Sequence, residues 1–155
     1  MSDRLSNVTL TRRQLLAWAG SAVVLGFSGR AALADAAATD KAIDQVVGDK
    51  TLNKGRIGLT VPEIAENGSK VPLEVEVESP MTQSDHVKAV HVFAEGNPSP
   101  EVATFRFTPA NGRAWASTRI RLIETQDVVA VAEMSDGSMY SDRKEVRVTI
   151  GGCGG

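Results

Sequence analysis

The stretch Val71-Pro72-Leu73-Glu74-Val75-Glu76-Val77 alternates apolar and polar side chains over seven residues. Successive side chains of a strand point to opposite faces, so Val71, Leu73, Val75 and Val77 share one buried face. Pro72, Glu74 and Glu76 take the other face, and Glu78 continues the acidic row. This is the signature of a strand half-buried in an antiparallel sheet with one solvated side.

Further strands are expected at residues 87–93, 102–107, 116–123, 128–134 and 146–150, with extended chain at 56–61. Within the third of these, Ile120 and Leu122 face one way while Arg119 and Arg121 face the other. Asn67-Gly68, Asn111-Gly112 and Asp136-Gly137 tolerate positive φ and are expected to make tight hairpins. Pro80, Pro98, Pro100 and Pro109 mark strand ends, because proline cannot donate to a ladder. About seven short strands at near-regular spacing predict an all-β fold, an immunoglobulin-like antiparallel β-sandwich. The Cys…Trp…Cys pattern of antibody domains is absent. Ahead of the strands, Ile43, Val46 and Val47 fall at helical spacing, predicting a short N-terminal helix over 39–49. Thr39 or Asp40 is its expected N-cap and Gly48 its stop.

The chain finishes on Gly151-Gly152-Cys153-Gly154-Gly155 and contains one cysteine. Four glycines impose no Cβ restriction on the backbone, so residues 151–155 are expected to form a flexible arm. At about 3.5 Å per extended residue the thiol reaches roughly 10 Å beyond Ile150. One cysteine permits no internal disulfide. In an exported protein an odd cysteine implies an intermolecular bond or a free reactive thiol.

Residues 1–34 read as an export signal to be cleaved. Arg12 and Arg13 precede an apolar run from Leu15 to Phe27, and Ala32-Leu33-Ala34 offers small residues for signal peptidase. Thr11-Arg12-Arg13-Gln14-Leu15-Leu16 resembles the twin-arginine motif, with Leu15 in place of the commoner Phe. Gly20, Ser21 and Gly26 interrupt the run, which is short for a membrane span of about 20 residues. Cleavage removes four arginines and one aspartate, leaving 13 basic and 18 acidic residues, a net of −5. Such a chain lacks electrostatic attraction to nucleic acid or anionic lipid, so neither is an expected partner. The expected organisation is a signal at 1–34, a β-sandwich domain at 35–150 and the arm at 151–155. The twin-arginine route carries folded proteins, which favours assembly with a second chain before export.

Other constellations carry little chemistry. His86 and His91 lie five apart in an expected strand, an odd spacing that sends them to opposite faces. Neither has a cysteine or carboxylate cluster beside it, so no metal site is expected. Glu74, Glu76 and Glu78 read as a solvated face, with a docking patch as the lesser alternative. Trp115, Phe93, Phe105 and Phe107 read as core in preference to interface. No Ser-His-Asp order and no phosphate-cradling loop is present.

The arginine pair, the β-rich pattern and the terminal GGCGG together resemble the SoxY family, sulfur carriers of periplasmic thiosulfate oxidation. EIAENGSKVPLEVEVESPM (63–81), DHVKAVHVFAEGNPSPEVATF (85–105) and VVAVAEMSDGSMY (128–140) also resemble it. The resemblance implies that Cys153 is the covalent attachment point for sulfur and that Gly151, Gly152, Gly154 and Gly155 are its swinging arm. It implies a heterodimer with a SoxZ-like subunit that has no signal of its own. Transient partners would be a SoxAX-like haem protein that conjugates thiosulfate and a SoxB-like manganese hydrolase that releases sulfate. A molybdenum–haem sulfane dehydrogenase, where present, would oxidise the retained sulfur. The metals belong to those enzymes, and this chain is expected to carry no cofactor and to catalyse nothing.

Three other classes compete. An exported binding module could use Cys153 for an intermolecular disulfide. A ubiquitin-like carrier could use the Gly155 carboxylate, but that chemistry needs ATP and leaves Cys153 unexplained. An enzyme would need an acid–base or metal constellation that the sequence lacks.

Overall fold

A computed structural model describes residues 30–151, with side chains from residue 38 onward. The chain divides into units at Met1–Ala31 and Ala32–Gly155, and the following concerns the second. Arg12, Arg13, Gly152, Cys153, Gly154 and Gly155 lie outside the described residues.

Helix α1 (Arg30–Val47) is followed by nine strands among the described residues: β1 (Leu52–Asn53), β2 (Ile57–Thr60), β3 (Ile64–Ala65), β4 (Val71–Val77), β5 (Val87–Ala94), β6 (Glu101–Arg106), β7 (Ala114–Ile120), β8 (Gln126–Met134) and β9 (Met139–Val148). The larger sheet runs β1-β9-β8-β5-β6, with β3 also on β9, and the smaller runs β2-β4-β7. The fold is an all-β sandwich of the immunoglobulin-like kind with one N-terminal helix. Its seven strands of four residues or more pair antiparallel. The expectation of a purely antiparallel sandwich needs correction at β1 and β3, which lie parallel to β9. Both have two residues, too short to show any periodicity.

The decisive stretch behaves as its alternation dictates. Val71, Leu73, Val75 and Val77 are buried in β4 and face Val90, Val92, Val128, Ala130 and Ala132 of the larger sheet across one core. β5 and β8 are buried on both faces because α1 covers the far side of their sheet. Ile43 and Val47 pack there with Phe93, Val129, Val131 and Met139. At roughly 25 cal/mol per Å² of apolar area, this second layer is what holds the helix on.

Four expectations are corrected. The helix begins at Arg30, well before Thr39, because Ala-Ala-Leu-Ala-Asp-Ala-Ala upstream is strongly helix-forming. Thr39 is therefore a fully buried mid-helix residue and not a cap. β9 starts at Met139 and not Val146, since backbone pairing to β8 carries the polar run Ser141–Glu145 that lacks a strand pattern. Of the three supposed hairpins, Asp136-Gly137 alone joins neighbouring strands. Gly137 has φ 85°, and Asp136 Oδ1 accepts from Ser138 N at 2.8 Å and Oγ at 2.6 Å. Asn111-Gly112 and Asn67-Gly68 instead lie on connections that pass from one sheet to the other. Finally, Trp115 is 43% exposed rather than core. It occupies a polar-parity position of β7 opposite Glu76, on the open face of the smaller sheet, with Arg113 5.9 Å above its ring. Phe93 is core, while Phe105 and Phe107 pack partly buried against the core edge.

Candidate functional site at the root of the glycine segment

The strand directions decide where the terminal segment leaves the fold. β5 and β9 finish at one end of the sandwich, where β4, β6 and β8 begin. The connections around residues 65–70, 95–100 and 121–125 gather at this end, and the chain beyond β9 passes among them.

Each residue of the exit is tied down in turn. Val148 N donates to Thr125 Oγ1 at 2.9 Å. Thr149 N donates to Ala65 O at 3.0 Å and its hydroxyl to Glu66 O at 3.0 Å, extending the short parallel pairing with β3. Ile150 O accepts from Gly68 N at 2.9 Å, and Gly68 O accepts from Leu122 N at 2.8 Å. Asn67 supports this by accepting from Ser69 N at 2.9 Å, which starts the one-turn helix Gly68–Lys70. Gly151 then lies half-buried against the 121–125 connection.

That connection is itself held by a buried amide. Gln126, 7% exposed, opens β8. Its Oε1 accepts from Gly96 N at 2.8 Å, and its Nε2 donates to Asn97 Oδ1 at 3.2 Å and Glu124 O at 3.1 Å. Asn97 Nδ2 donates to Arg121 O at 2.8 Å, while Asn97 Oδ1 also accepts from Ile123 N at 3.3 Å. Sequence reasoning missed Asn97 and Gln126, and read Gly68 only as a hairpin glycine. The available signal was Gln126, an uncharged polar residue heading the apolar run Val128–Ala132.

The other residues singled out from sequence do not converge. His86 Nδ1 lies 3.0 Å from Thr82 O, ahead of β5. His91, on the helix-covered face, has Nδ1 3.3 Å from both Glu101 Oε1 and Thr104 Oγ1. The Thr104 and His91 contacts hold the Glu101 carboxyl below its ordinary range. Burial pushes the Glu95 carboxyl up, opposed by Arg143 at 2.7 Å. Glu76 is engaged by Arg113 at 2.7 Å, and Glu74 lines a shallow groove of about 310 Å³ with Thr60, Val61, Pro62, Pro72 and Ser117. Among the described residues no group of three or more His, Cys, Asp or Glu could hold a metal ion. No described helix is long and apolar enough to cross a membrane.

Residues 43–153 match the family described as sulfur oxidation protein SoxY, a span that includes Cys153. The sulfur carrier protein SoxY from Chlorobium limicola f thiosulfatophilum is 33% identical, with TM-score 0.62, over 74% of this chain and 99% of its own. The superoxide reductase neelaredoxin from Ignicoccus hospitalis superposes with TM-score 0.54 at 16% identity, over 61% of this chain and 80% of its own. A putative superoxide reductase from Thermotoga maritima gives 0.53 at 18%, over 63% and 93%. Likeness at that level is one of fold alone. Among curated proteins none matches the chain. A family match across most of the sequence, joined to a third of residues shared with a SoxY of known structure, supports a sulfur-carrier role: the chain belongs to the SoxY family.

Proposed function

We propose that this protein carries sulfur covalently on Cys153 during thiosulfate oxidation and hands it to successive enzymes in the periplasm, after export by the twin-arginine route. The observation that carries the reading is a single cysteine set among glycines, within the SoxY match and just past the last seated residue. In loading, the Cys153 sulfur bonds to the outer sulfur of thiosulfate. The thiol proton leaves to solvent, and two electrons pass to an oxidising haem partner of the SoxAX kind. A hydrolase of the SoxB kind then adds water to the sulfonate sulfur and breaks its bond to the sulfane sulfur. Sulfate and two protons leave, and a persulfide anion stays on Cys153.

An unperturbed thiol with pKa near 8.5 is only a few per cent ionised at neutral pH, so activation belongs to the enzymes that receive the arm. A SoxZ-like subunit completes the exported unit, and a sulfane dehydrogenase, where one exists, oxidises the persulfide. The chain itself performs no catalysis.

Intact-mass spectrometry of the mature protein, incubated with thiosulfate and the haem partner, tests the reading. One thiosulfate-derived adduct is expected, removable by dithiothreitol. Cys153→Ser should take up none while folding and binding its partner subunit as before. An adduct on the serine variant, or a disulfide-linked homodimer as the main wild-type species, would overturn it.

A further inference from the structure

We propose that Gly151 is a positioning residue, the fixed seat from which the cysteine-bearing segment departs, and not a flexible link of it. The proposal rests on the carrier reading above. Gly151 does not have positive φ, so its backbone conformation does not call for glycine. Its surroundings do. A Cβ at this position would overlap the carbonyl oxygen of Ile123, a backbone atom with no rotamer by which to move aside.

One of the two sides must yield if a side chain is added, and the hydrogen bonds decide which. The 121–124 segment is held through Arg121 O, Leu122 N, Ile123 N and Glu124 O by Asn97, Gly68 and Gln126. Past Thr149 the terminal chain is held only by the bond from Gly68 N to Ile150 O, among contacts of the described residues. The terminal chain therefore gives way. Added bulk at 151 breaks its last tie and redirects the exit, whereas the 121–124 segment, anchored by its hydrogen bonds and by buried Leu122, keeps its place. The glycine at 151 thus serves close approach to the 121–124 segment.

The test compares Gly151→Ala with Gly58→Ala, a change in the exposed face of β2, in the full mature chain. Both changes remove the same backbone freedom, but a Cβ at Gly58 comes no nearer than 3.9 Å to a neighbouring atom, whereas one at Gly151 overlaps Ile123. Melting temperature and the rate of Cys153 alkylation by iodoacetamide should match wild type in both variants. Enzymatic loading with thiosulfate should fall at least tenfold in kcat/KM for Gly151→Ala and by less than twofold for Gly58→Ala. Amide exchange supplies a readout independent of the enzymes. The Gly68 N–H should be strongly protected in wild type and lose at least tenfold of that protection in Gly151→Ala. Equal loading by the two variants, or an unprotected Gly68 amide in wild type, would overturn the proposal. Failure of wild type itself to load Cys153 would instead sink the carrier reading, leaving the amide measurement to judge the seat.

Discussion

Glu133 illustrates how a single charged side chain contributes at the surface of this fold. It lies at the end of β8 with Lys88 Nζ at 2.7 Å and Lys50 Nζ at 3.7 Å. The hydrogen bond from Lys88 holds its carboxyl below the ordinary range, against the opposing effect of partial burial. A lowered acid pKa means the folded state favours the ionised form, so the stabilisation is present above the ordinary value of about 4.3. It is lost as pH falls through the lowered folded value. Both lysines are about half exposed, so the pair is worth no more than about 1 kcal/mol. Glu133→Gln should therefore lower the urea midpoint slightly at pH 7, with the gap to wild type closing below about pH 4. Urea titrations of both proteins across that window check it; a gap that persists at low pH contradicts it. At this scale the sequence was unevenly legible. Cys153 stood out because its neighbours are glycines, a local fact. Gln126 and Asn97 matter through each other, 29 residues apart, and no local pattern reports that pairing. Trp115 was misread because aromatic character suggested burial, whereas its parity opposite Glu76 in the strand pair was the better guide.

Among the elements, the larger sheet depends on being covered twice. Its inner face meets β4, and its outer face would expose Phe93, Val129, Val131 and Met139 without α1. Phe93 is the largest side chain in that outer cluster and has no exposed surface. Phe93→Ala should cost about 3–5 kcal/mol, the range for emptying a well-packed aromatic site. Because the cavity opens under the helix, amide exchange along residues 39–47 should accelerate more than exchange in β4. Guanidinium unfolding and exchange measured together decide this; uniform acceleration would mean that the helix layer is not a separable unit. Legibility followed periodicity. β4 could be read outright because one face is wet and the other dry. β5 and β8 lost their alternation once α1 dried the second face, yet their apolar runs still marked them as strands. The first half of β9, with Ser141, Asp142, Arg143, Lys144 and Glu145, is a strand by virtue of its partner alone. The turns were read by residue type, which reports tolerance of a bend but not which sheets the bend connects.

At the scale of the whole fold, the end where the chain leaves β9 lies apart from the end where β9 starts. At the end opposite the exit, where β4 and β2 meet and β9 starts, Arg56 adopts φ 57° and joins several elements. Its Nε donates to Glu78 O at 3.1 Å, its Nη2 lies 3.3 Å from Asp85 Oδ2, and its guanidinium sits 5.5 Å from the Tyr140 ring centroid. Arg56 O in turn accepts from Glu78 N at 2.6 Å. These contacts link the β2–β4 sheet to the start of β9 without touching the residues that seat Gly151. Arg56→Ala should therefore lower stability by about 1 kcal/mol, the modest loss expected of a partly exposed charged network. Sulfur loading per folded molecule should stay within twofold of wild type. Gly151→Ala should do the reverse, sparing stability and impairing loading. Melting curves and loading rates on the same preparations test the separation. A fall in loading for Arg56→Ala at temperatures where it is fully folded would show the two ends coupled, and the sandwich would then be more than a rigid mount for its terminal cysteine.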